Sequence, residues 1–231
     1  MNGVTIGEKH SYNDFGLILS EKVIAPPSPQ YSKITVPLRD AAIDLTESLT
    51  DCVKYSERVI SLTFKVVDPI LTWASKISEI ENYLHGKKLK IIFDDDLAFY
   101  YIGRVTVNKW TSNKTIGTIV VECQVEPFKY DITPSDIDWE WDSFDLVNGI
   151  INEAGEIVVR GTTVFMLICR QKRMFPIFTA STDMTVEFEG ETYSLPAGSN
   201  KIYDIFLCEG ENVLTFKGNG TVSIKYIGGS L

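Results

Sequence analysis

Alternation of hydrophobic and polar positions runs through most of the chain and predicts strands. The clearest case is residues 58–66, where every second side chain is apolar: Ile60, Leu62, Phe64 and Val66. A period of two is expected when one face of a strand is buried. Similar runs, rich in β-branched and aromatic residues, predict further strands over 33–36, 41–45, 89–93, 99–109 and 116–125.

One segment has instead the spacing of an amphipathic helix. Its apolar residues recur every three or four positions: Ile70, Trp73, Ile77, Ile80 and Leu84. Asp68 suits the N-cap, Pro69 suits the first turn and Gly86 suits the exit. The pattern predicts a helix over 69–85 whose aromatic residues pack in the core rather than bind a metal or cofactor.

After residue 131 the pattern consists of short strands alone. They are predicted over 162–169, 185–189, 191–195, 201–207, 212–217 and 221–226. Gly190 and residues 218–220 are predicted to form tight hairpin turns, because glycine adopts the positive φ that such turns need. Strands about ten residues apart, with no helix between them, predict a β-sandwich.

Charge separates the chain into two parts near residue 130. Residues 1–130 carry 15 Lys and Arg against 16 Asp and Glu, whereas residues 131–231 carry 7 against 15. Six acids and no base lie between 131 and 145, together with Trp139 and Trp141. In a strand, residues two positions apart point to the same face, so these tryptophans would lie side by side. This arrangement favours a core anchor or a domain interface over a sugar-stacking platform. We predict domains over 1–130 and 131–231.

Composition excludes several classes of function. The net charge of −9 in 231 residues argues against specific nucleic-acid binding, because such binding relies on basic side chains that neutralise phosphates. No apolar stretch approaches the roughly 20 residues of a membrane span, and the N-terminus lacks the pattern of a leader, so a soluble protein is expected. The four cysteines are widely spaced, which favours buried free thiols in a reducing compartment.

Few of the residues and motifs typical of catalytic sites are present. His10 and His85 are the only histidines, and no nucleophile elbow, Walker motif or dinucleotide fingerprint occurs. The acidic run 94–96 fails the calcium-loop template and is predicted to be a solvated turn. Glu187 and Glu189 could share a strand face as a glycosidase pair, but such pairs arise by chance among 31 acids. No catalytic residue, metal or cofactor is therefore predicted.

The ordered set of short motifs resembles the distal tail protein (Dit) family of long-tailed bacteriophages and prophages. The motifs span nearly the whole chain: 14–17, 24–27, 34–40, 44–45, 55–64, 84–86, 93–96, 100–104, 127–130, 211–212, 220–226 and 228–229. Residues 55–64 are similar to the family's Tyr-x-x-Arg strand, with Tyr55 and Arg58. The family's usual Gly-Arg-Asp-Gly turn is here Leu-Arg-Asp-Ala at residues 38–41.

The resemblance implies a fold and a role in the virion. The fold is mainly β, with an N-terminal β-sandwich-like domain carrying one helix and a C-terminal galectin-like β-sandwich. The protein would be made in the host cytoplasm and form a hexameric ring at the phage tail tip, between tail tube and baseplate. Its expected partners are the major tail tube protein, the tape-measure protein, a tail-associated or tail fibre protein and a receptor-binding protein.

The resemblance also suggests where partners would be contacted. The expected partner-interface residues are Phe15, Pro26, Pro27, Arg39, Asp44, Trp139 and Trp141. The extended N-terminal segment is expected to close the ring as a belt, so deleting residues 1–30 should weaken assembly and leave both domains folded. The alternatives are a glycan-binding adhesion module that uses Trp139, Trp141, Tyr193 and Tyr203, and a small hydrolase that relies on carboxylates.

Overall fold

The chain forms two compact units. The computed structural model describes residues 3–48, 52–66, 73–112, 116–137 and 154–231. The first unit comprises Met1–Asp96, Tyr101–Pro127 and Leu231, and the second comprises Leu97–Tyr100 and Phe128–Ser230. Both are built mainly from antiparallel strands, and the described residues contain one helix. The predicted mainly β fold class is confirmed.

The first unit is organised around one antiparallel sheet. Its elements are β1 (Val4–Ile6), β2 (Lys9–His10), β3 (Leu17–Ile24), β4 (Pro29–Gln30), β5 (Lys33–Ile34), β6 (Ile43–Asp44), β7 (Lys54–Tyr55), β8 (Arg58–Val66), α1 (Trp73–Leu84), β9 (Lys88–Phe93), β10 (Phe99–Ser112) and β11 (Gly117–Val125). The sheet order is β2-β1-β9-β10-β11-β8-β3, and β4–β7 and β5–β6 form two separate short ladders. The predicted strands over 58–66 and 89–93 are confirmed.

Helix α1 covers one face of this sheet, as its periodicity predicts. Its apolar stripe is buried together with the inward side chains of β8: Trp73, Ile77, Ile80, Leu84, Ile60, Leu62 and Phe64. The helix ends before Gly86, whose φ of 76° suits glycine and whose amide donates to the Val105 carbonyl at 2.8 Å. Asp68 and Pro69, the predicted start of the helix, lie outside the described residues.

The N-terminal segment belongs to the core of the first unit. β1 pairs with β9, and four of the first 17 side chains are buried in the apolar cluster: Val4, Ile6, Phe15 and Leu17. Removing residues 1–30 would therefore delete three strands of the sheet, β1, β2 and β3, and open this cluster. We therefore expect this deletion to unfold the first unit, contrary to the expectation from the sequence that both domains stay folded, because these residues form strands and core rather than an appended belt.

The second unit contains a six-stranded sheet and a smaller ladder. Its elements are β12 (Lys129–Asp131), β13 (Ile157–Cys169), β14 (Ile177–Ala180), β15 (Met184–Phe188), β16 (Glu191–Leu195), β17 (Gly198–Lys201), β18 (Gly210–Lys225) and β19 (Gly229–Ser230). The sheet order is β16-β15-β18-β14-β17, with β13 along the other side of β18. β12 pairs with β19 and with the first residues of β10.

β18 is one continuous strand, so the hairpin predicted at residues 218–220 is wrong. Its middle and its C-terminal end pair with different partners, residues 215–217 with β15 and residues 222–225 with β14. Phe178 of β14 lies opposite Ile224, yet its ring centroid is 6.2 Å from that of Phe216. Eight residues of straight strand span about 26 Å. The strand therefore bends between its halves and folds both over a common core.

Glycine is required at this bend because there is no room for a Cβ, not because the chain turns there. A Cβ on Gly218 would lie 2.6 Å from Cβ of Met184, and one on Gly220 would lie 2.5 Å from Oγ1 of Thr182. Both glycines also have positive φ angles, of 154° and 151°. By contrast, Gly190 does form the predicted hairpin turn between β15 and β16, with φ of 87°.

A second local prediction is also wrong. Residues 202–207 do not continue β17 as a strand but form an irregular segment tied to Met174 by a two-way backbone bridge from Leu207. Ile205 and Leu207 are fully buried. Their spacing of two therefore arises from core packing of a loop, which alternation alone cannot distinguish from a strand.

Candidate assembly surface

A long excursion between β3 and β8 is the most distinctive surface of the first unit. We call residues 25–57 the arm. β3 and β8 are antiparallel neighbours, with Ile24 opposite Ile60, so the arm leaves and re-enters the sheet at the same end of one hairpin. Within the arm, β4 pairs with β7 and β5 pairs with β6. The arm is therefore a ribbon made of two short ladders.

The arm has no core of its own. None of its described residues, 25–48 and 52–57, is buried. Three of its large apolar side chains are open to solvent, with exposed fractions of 65% for Tyr31, 51% for Ile34 and 109% for Leu38. Isolated two-stranded ribbons are marginally stable in water, since a few hydrogen bonds do not offset the entropy of ordering. A surface of this kind is suited to packing against another molecule.

The tip of the arm contains a residue with an unfavourable backbone conformation. Leu38 has a φ of 67°, which costs a residue with a Cβ about 1–2 kcal/mol relative to the right-handed region. The neighbouring Arg39 amide donates to the Val36 carbonyl at 3.2 Å, which closes the turn. Leu38 presents an apolar side chain at the end of the arm.

Asp44 has a local structural role within the arm. Its carboxylate accepts hydrogen bonds from the Thr46 hydroxyl and the Thr46 amide. These two bonds, the hydroxyl first, lower the pKa of Asp44 below its usual value. Thr46 Oγ1 in turn accepts a hydrogen bond from the Ser32 amide at 3.1 Å. The carboxylate thus orders the base of the β5–β6 hairpin.

Arg58 anchors the point where the arm re-enters the sheet. Only 5% of this residue is exposed, and its guanidinium lies 5.5 Å from the ring centroid of Tyr101. The same group donates a hydrogen bond to the Pro127 carbonyl. The sequence pattern marked Arg58 as part of a strand, but a hydrophobic alternation gives no signal that an arginine at its start is buried.

The structure separates the expected partner-interface residues into three groups. Pro26, Arg39 and Asp44 are exposed on the arm, and Pro27 is half-buried there. Phe15 is 3% exposed, with its ring 5.6 Å from that of Tyr83, so its side chain is already used by the core. Trp139 and Trp141 lie outside the described residues. Partner contact at any of these residues stays a prediction.

Neither histidine is placed as a general base. His10 Nδ1 accepts hydrogen bonds from the amides of Tyr12 and Asn13, both at 3.2 Å, which leaves Nε2–H to donate to Asp94, also at 3.2 Å. Both ring nitrogens are thus occupied by structural bonds. His85 Nδ1 accepts from the Val107 amide at 3.2 Å, and this bond ties the end of α1 to β10.

The acidic candidates do not converge either. Asp94 also accepts a hydrogen bond from the Gly3 amide, and Asp95 pairs with Lys22 at 2.5 Å. Glu187 pairs with Lys217 at 2.7 Å. β15 ends at Phe188, so Glu189 lies in the turn with φ of 51° and does not share a strand face with Glu187. Among the described residues, no group of three or more His, Cys, Asp or Glu side chains could hold a metal ion.

Thiol labelling should distinguish buried from accessible cysteines. None of the four cysteines forms a disulfide. Burial, reinforced by Glu122, raises the pKa of Cys123 to about 12, and burial raises the pKa of Cys169 to about 11. Their thiolate fractions at pH 8 are then on the order of 10⁻⁴ and 10⁻³.

We expect iodoacetamide at pH 8 to modify the half-buried Cys52 and Cys208 in the native protein and to spare Cys123 and Cys169. Peptide mass spectrometry reads the sites, and the urea-unfolded protein, which should react at all four, is the control. Rapid native labelling of Cys123 would contradict the described packing.

These observations define the chain as a mainly β protein of two units with a solvent-exposed arm. None of the described helices is long and apolar enough to cross a membrane. No family model matches the sequence, and no curated protein matches it.

A solved structure shares the fold. This chain is similar to the SPP1 Dit (gp 19.1) protein, described as a paradigm of the hub adsorption apparatus in phages that infect Gram-positive bacteria. The superposition covers 98% of this chain and 99% of that one, with a TM-score of 0.61 and 14% sequence identity. At this identity the likeness shows the fold alone.

Proposed function

We propose that this protein is a structural hub of a phage tail tip, in which six copies form a ring that joins the tail tube to host-recognition proteins. The arm carries this proposal, because 33 consecutive positions hold no buried residue in their described part and expose Tyr31, Ile34 and Leu38. Packing each arm on the next copy would bury these side chains. A head-to-tail contact of this kind closes into a ring when its rotation permits.

The charge of the chain is compatible with a central channel. Residues 1–130 are almost neutral, with 15 basic and 16 acidic side chains. A strongly basic lumen would retain DNA through counterion release, whereas a neutral one lets it pass. The tape-measure protein and DNA are the molecules that such a channel would carry in the proposed assembly, and the major tail tube protein would sit above it.

The second unit is proposed to project as a galectin-like platform for a tail-associated, tail fibre or receptor-binding protein. Its acidic charge, 7 basic against 15 acidic residues over 131–231, gives it a surface different in kind from the first unit. This part of the proposal is supported by the fold shared with the SPP1 hub protein. The virion is accordingly the proposed location.

Light scattering coupled to size-exclusion chromatography tests the ring directly. The purified protein, followed over a hundredfold range of concentration, is expected to approach the mass of six 26.0 kDa subunits. Negative-stain electron microscopy should then show rings with a central opening. A monomer or dimer at every concentration, without rings on the grid, would refute the proposed assembly.

The alternative role, a glycan-binding adhesion module, has one observation in its favour. Tyr203 is 70% exposed, and its ring centroid lies 6.2 Å from that of Phe175, which is 43% exposed. Exposed aromatic rings can stack on sugars, but they also anchor protein partners. Micromolar binding on a glycan array that is lost in Tyr203→Ala would favour this alternative over the hub.

A further inference from the structure

The outer edge of β13 is a long open strand edge in the described part of the second unit. β13 pairs along its whole length with β18, from Ile157 opposite Val222 to Cys169 opposite Gly210. On its other side it has no strand partner among the described residues. The amides and carbonyls that face outward there are available to pair with another chain.

An apolar surface accompanies this open edge. Val164, Met166 and Ile168 lie on one face of β13, two residues apart, and Val213 lies directly opposite Met166 on the same face. Their exposed fractions are 64%, 51%, 51% and 50%. The opposite face of the same segment is used by the core, with Leu167 and Cys169 buried. We call Val164, Met166, Ile168 and Val213 the edge patch.

The charges that normally blunt an exposed edge are missing from this strand. Natural proteins place lysine, proline or inward charges on edges to prevent pairing with other chains. In the 13 residues of β13 the only charged side chain is Arg160, and no acid occurs, although residues 131–231 contain 15 acids. β13 itself therefore offers no acid that would repel an approaching strand, but Glu211 lies opposite Ile168 on the same face, so an uncharged segment is favoured there.

The size of the edge patch indicates the kind of occupant. Four aliphatic side chains that are about half exposed offer on the order of 350 Å² of apolar surface, within the range of functional patches on monomers. A stable dimer of globular subunits buries about 800 Å² on each partner. The patch is too small for such a dimer and matches the width of one added strand.

We propose that β13, between Val164 and Cys169, binds an extended segment of another protein by strand addition. The segment would have β-branched or other apolar residues at alternate positions, low net charge, and an acidic residue toward the Arg160 end. Backbone pairing along the edge supplies affinity, and contact with the edge patch supplies selectivity for alternating apolar side chains. This surface is separate from the arm, and its role does not depend on ring formation.

A fluorescein-labelled nine-residue peptide of alternating Val and Thr, with one Glu near the end that faces Arg160, tests this proposal. Fluorescence anisotropy is expected to show saturable binding to the full chain. The double variant Met166→Lys/Ile168→Lys should weaken binding at least tenfold, because it places gatekeeper charges on the edge. Val158→Lys is the matched control, since Val158 is 52% exposed on the same strand beyond Gly161, and it should change binding by less than twofold.

Backbone pairing is tested with the same peptide N-methylated at alternate residues, which keeps its side chains and removes donors. This peptide should not bind, and hydrogen exchange of β13 amides should slow only with the unmodified one. Three results would overturn the proposal: no saturable binding below about 1 mM, equal affinity of the N-methylated peptide, or unchanged affinity of the Met166→Lys/Ile168→Lys variant.

Sedimentation velocity distinguishes whether the β13 edge is occupied by a second copy of this chain or by a segment of another protein. Concentration-dependent association of the wild-type protein that Met166→Lys/Ile168→Lys abolishes would identify another copy as the occupant and overturn the proposal. Circular dichroism should show both variants folded, because the substituted side chains are about half exposed. Ring formation by these variants reports separately on the proposed hub, so a failure of one idea does not imply a failure of the other.

Discussion

Replacing residues 26–57 with a short Asn-Gly turn is expected to abolish the six-subunit species and leave a folded monomer. No described residue of the arm contributes to a buried cluster, and β3 and β8 are already antiparallel neighbours that a tight turn can join. The core should therefore survive. Light scattering should report the mass of one subunit, while the far-ultraviolet circular dichroism and the melting temperature stay close to those of the intact chain.

A finer variant tests whether apolar side chains of the arm carry the contact. Tyr31→Ser/Ile34→Ser/Leu38→Ser should shift the assembly midpoint to at least tenfold higher concentration, since each side chain is more than half exposed in the single chain. Leu97→Ser is the matched control, because Leu97 is 59% exposed outside the arm. Rings that persist in the triple variant, or that weaken equally in Leu97→Ser, would show that the arm does not make the contact.

Gly117→Ala should destabilise the first unit by about 2–4 kcal/mol, a large effect for one added methyl group. A Cβ at Gly117 would lie 1.3 Å from Cζ2 of Trp73, so the indole would have to leave its position between helix and sheet. Urea unfolding followed by circular dichroism measures the change. Thr118→Ala, at the neighbouring half-buried position, is the control and should cost less than about 0.5 kcal/mol.

A double-mutant cycle identifies the cause of this effect. Trp73→Ala alone should cost about 3–5 kcal/mol through the cavity that it leaves. Adding Gly117→Ala to that variant should then cost almost nothing, since the clashing ring is gone. A coupling free energy of at least about 1.5 kcal/mol is expected. Additive losses would mean that Gly117 is needed for its backbone rather than for the space it leaves to Trp73.

The sequence predicts those elements whose residues follow one period without interruption. β8 and α1 follow their patterns closely because each has one buried face on a single regular surface. β18 does not, because its glycines mark a bend inside a strand, and glycine at a bend looks the same in the sequence as glycine at a turn. Residues 202–207 show the converse case: their alternation predicts a strand, but they form a loop that buries alternate side chains.

The candidate surfaces were predictable only in part. The prolines at 26, 27 and 29 and the run around Arg39 indicated an unusual segment, but its pairing with residues 54–55 is a long-range feature that local pattern does not encode. The edge patch is not predictable from the sequence, because Val164, Met166 and Ile168 alternate with their neighbours as in any strand with one buried face. Which face is inward depends on the core that Leu167 and Cys169 join, and this is fixed by tertiary packing.

The way in which the arm joins its sheet has a mechanical consequence. Both of its roots continue into strands, and β8 lies between β3 and β11, with nine residue pairs linking it to β11 alone. A pull on the arm along the strand direction would load β3 and β8 together and shear the ladder between β8 and β11, so many backbone hydrogen bonds would have to break at once rather than one after another. The attachment resists tension better than a loop tethered at a sheet corner.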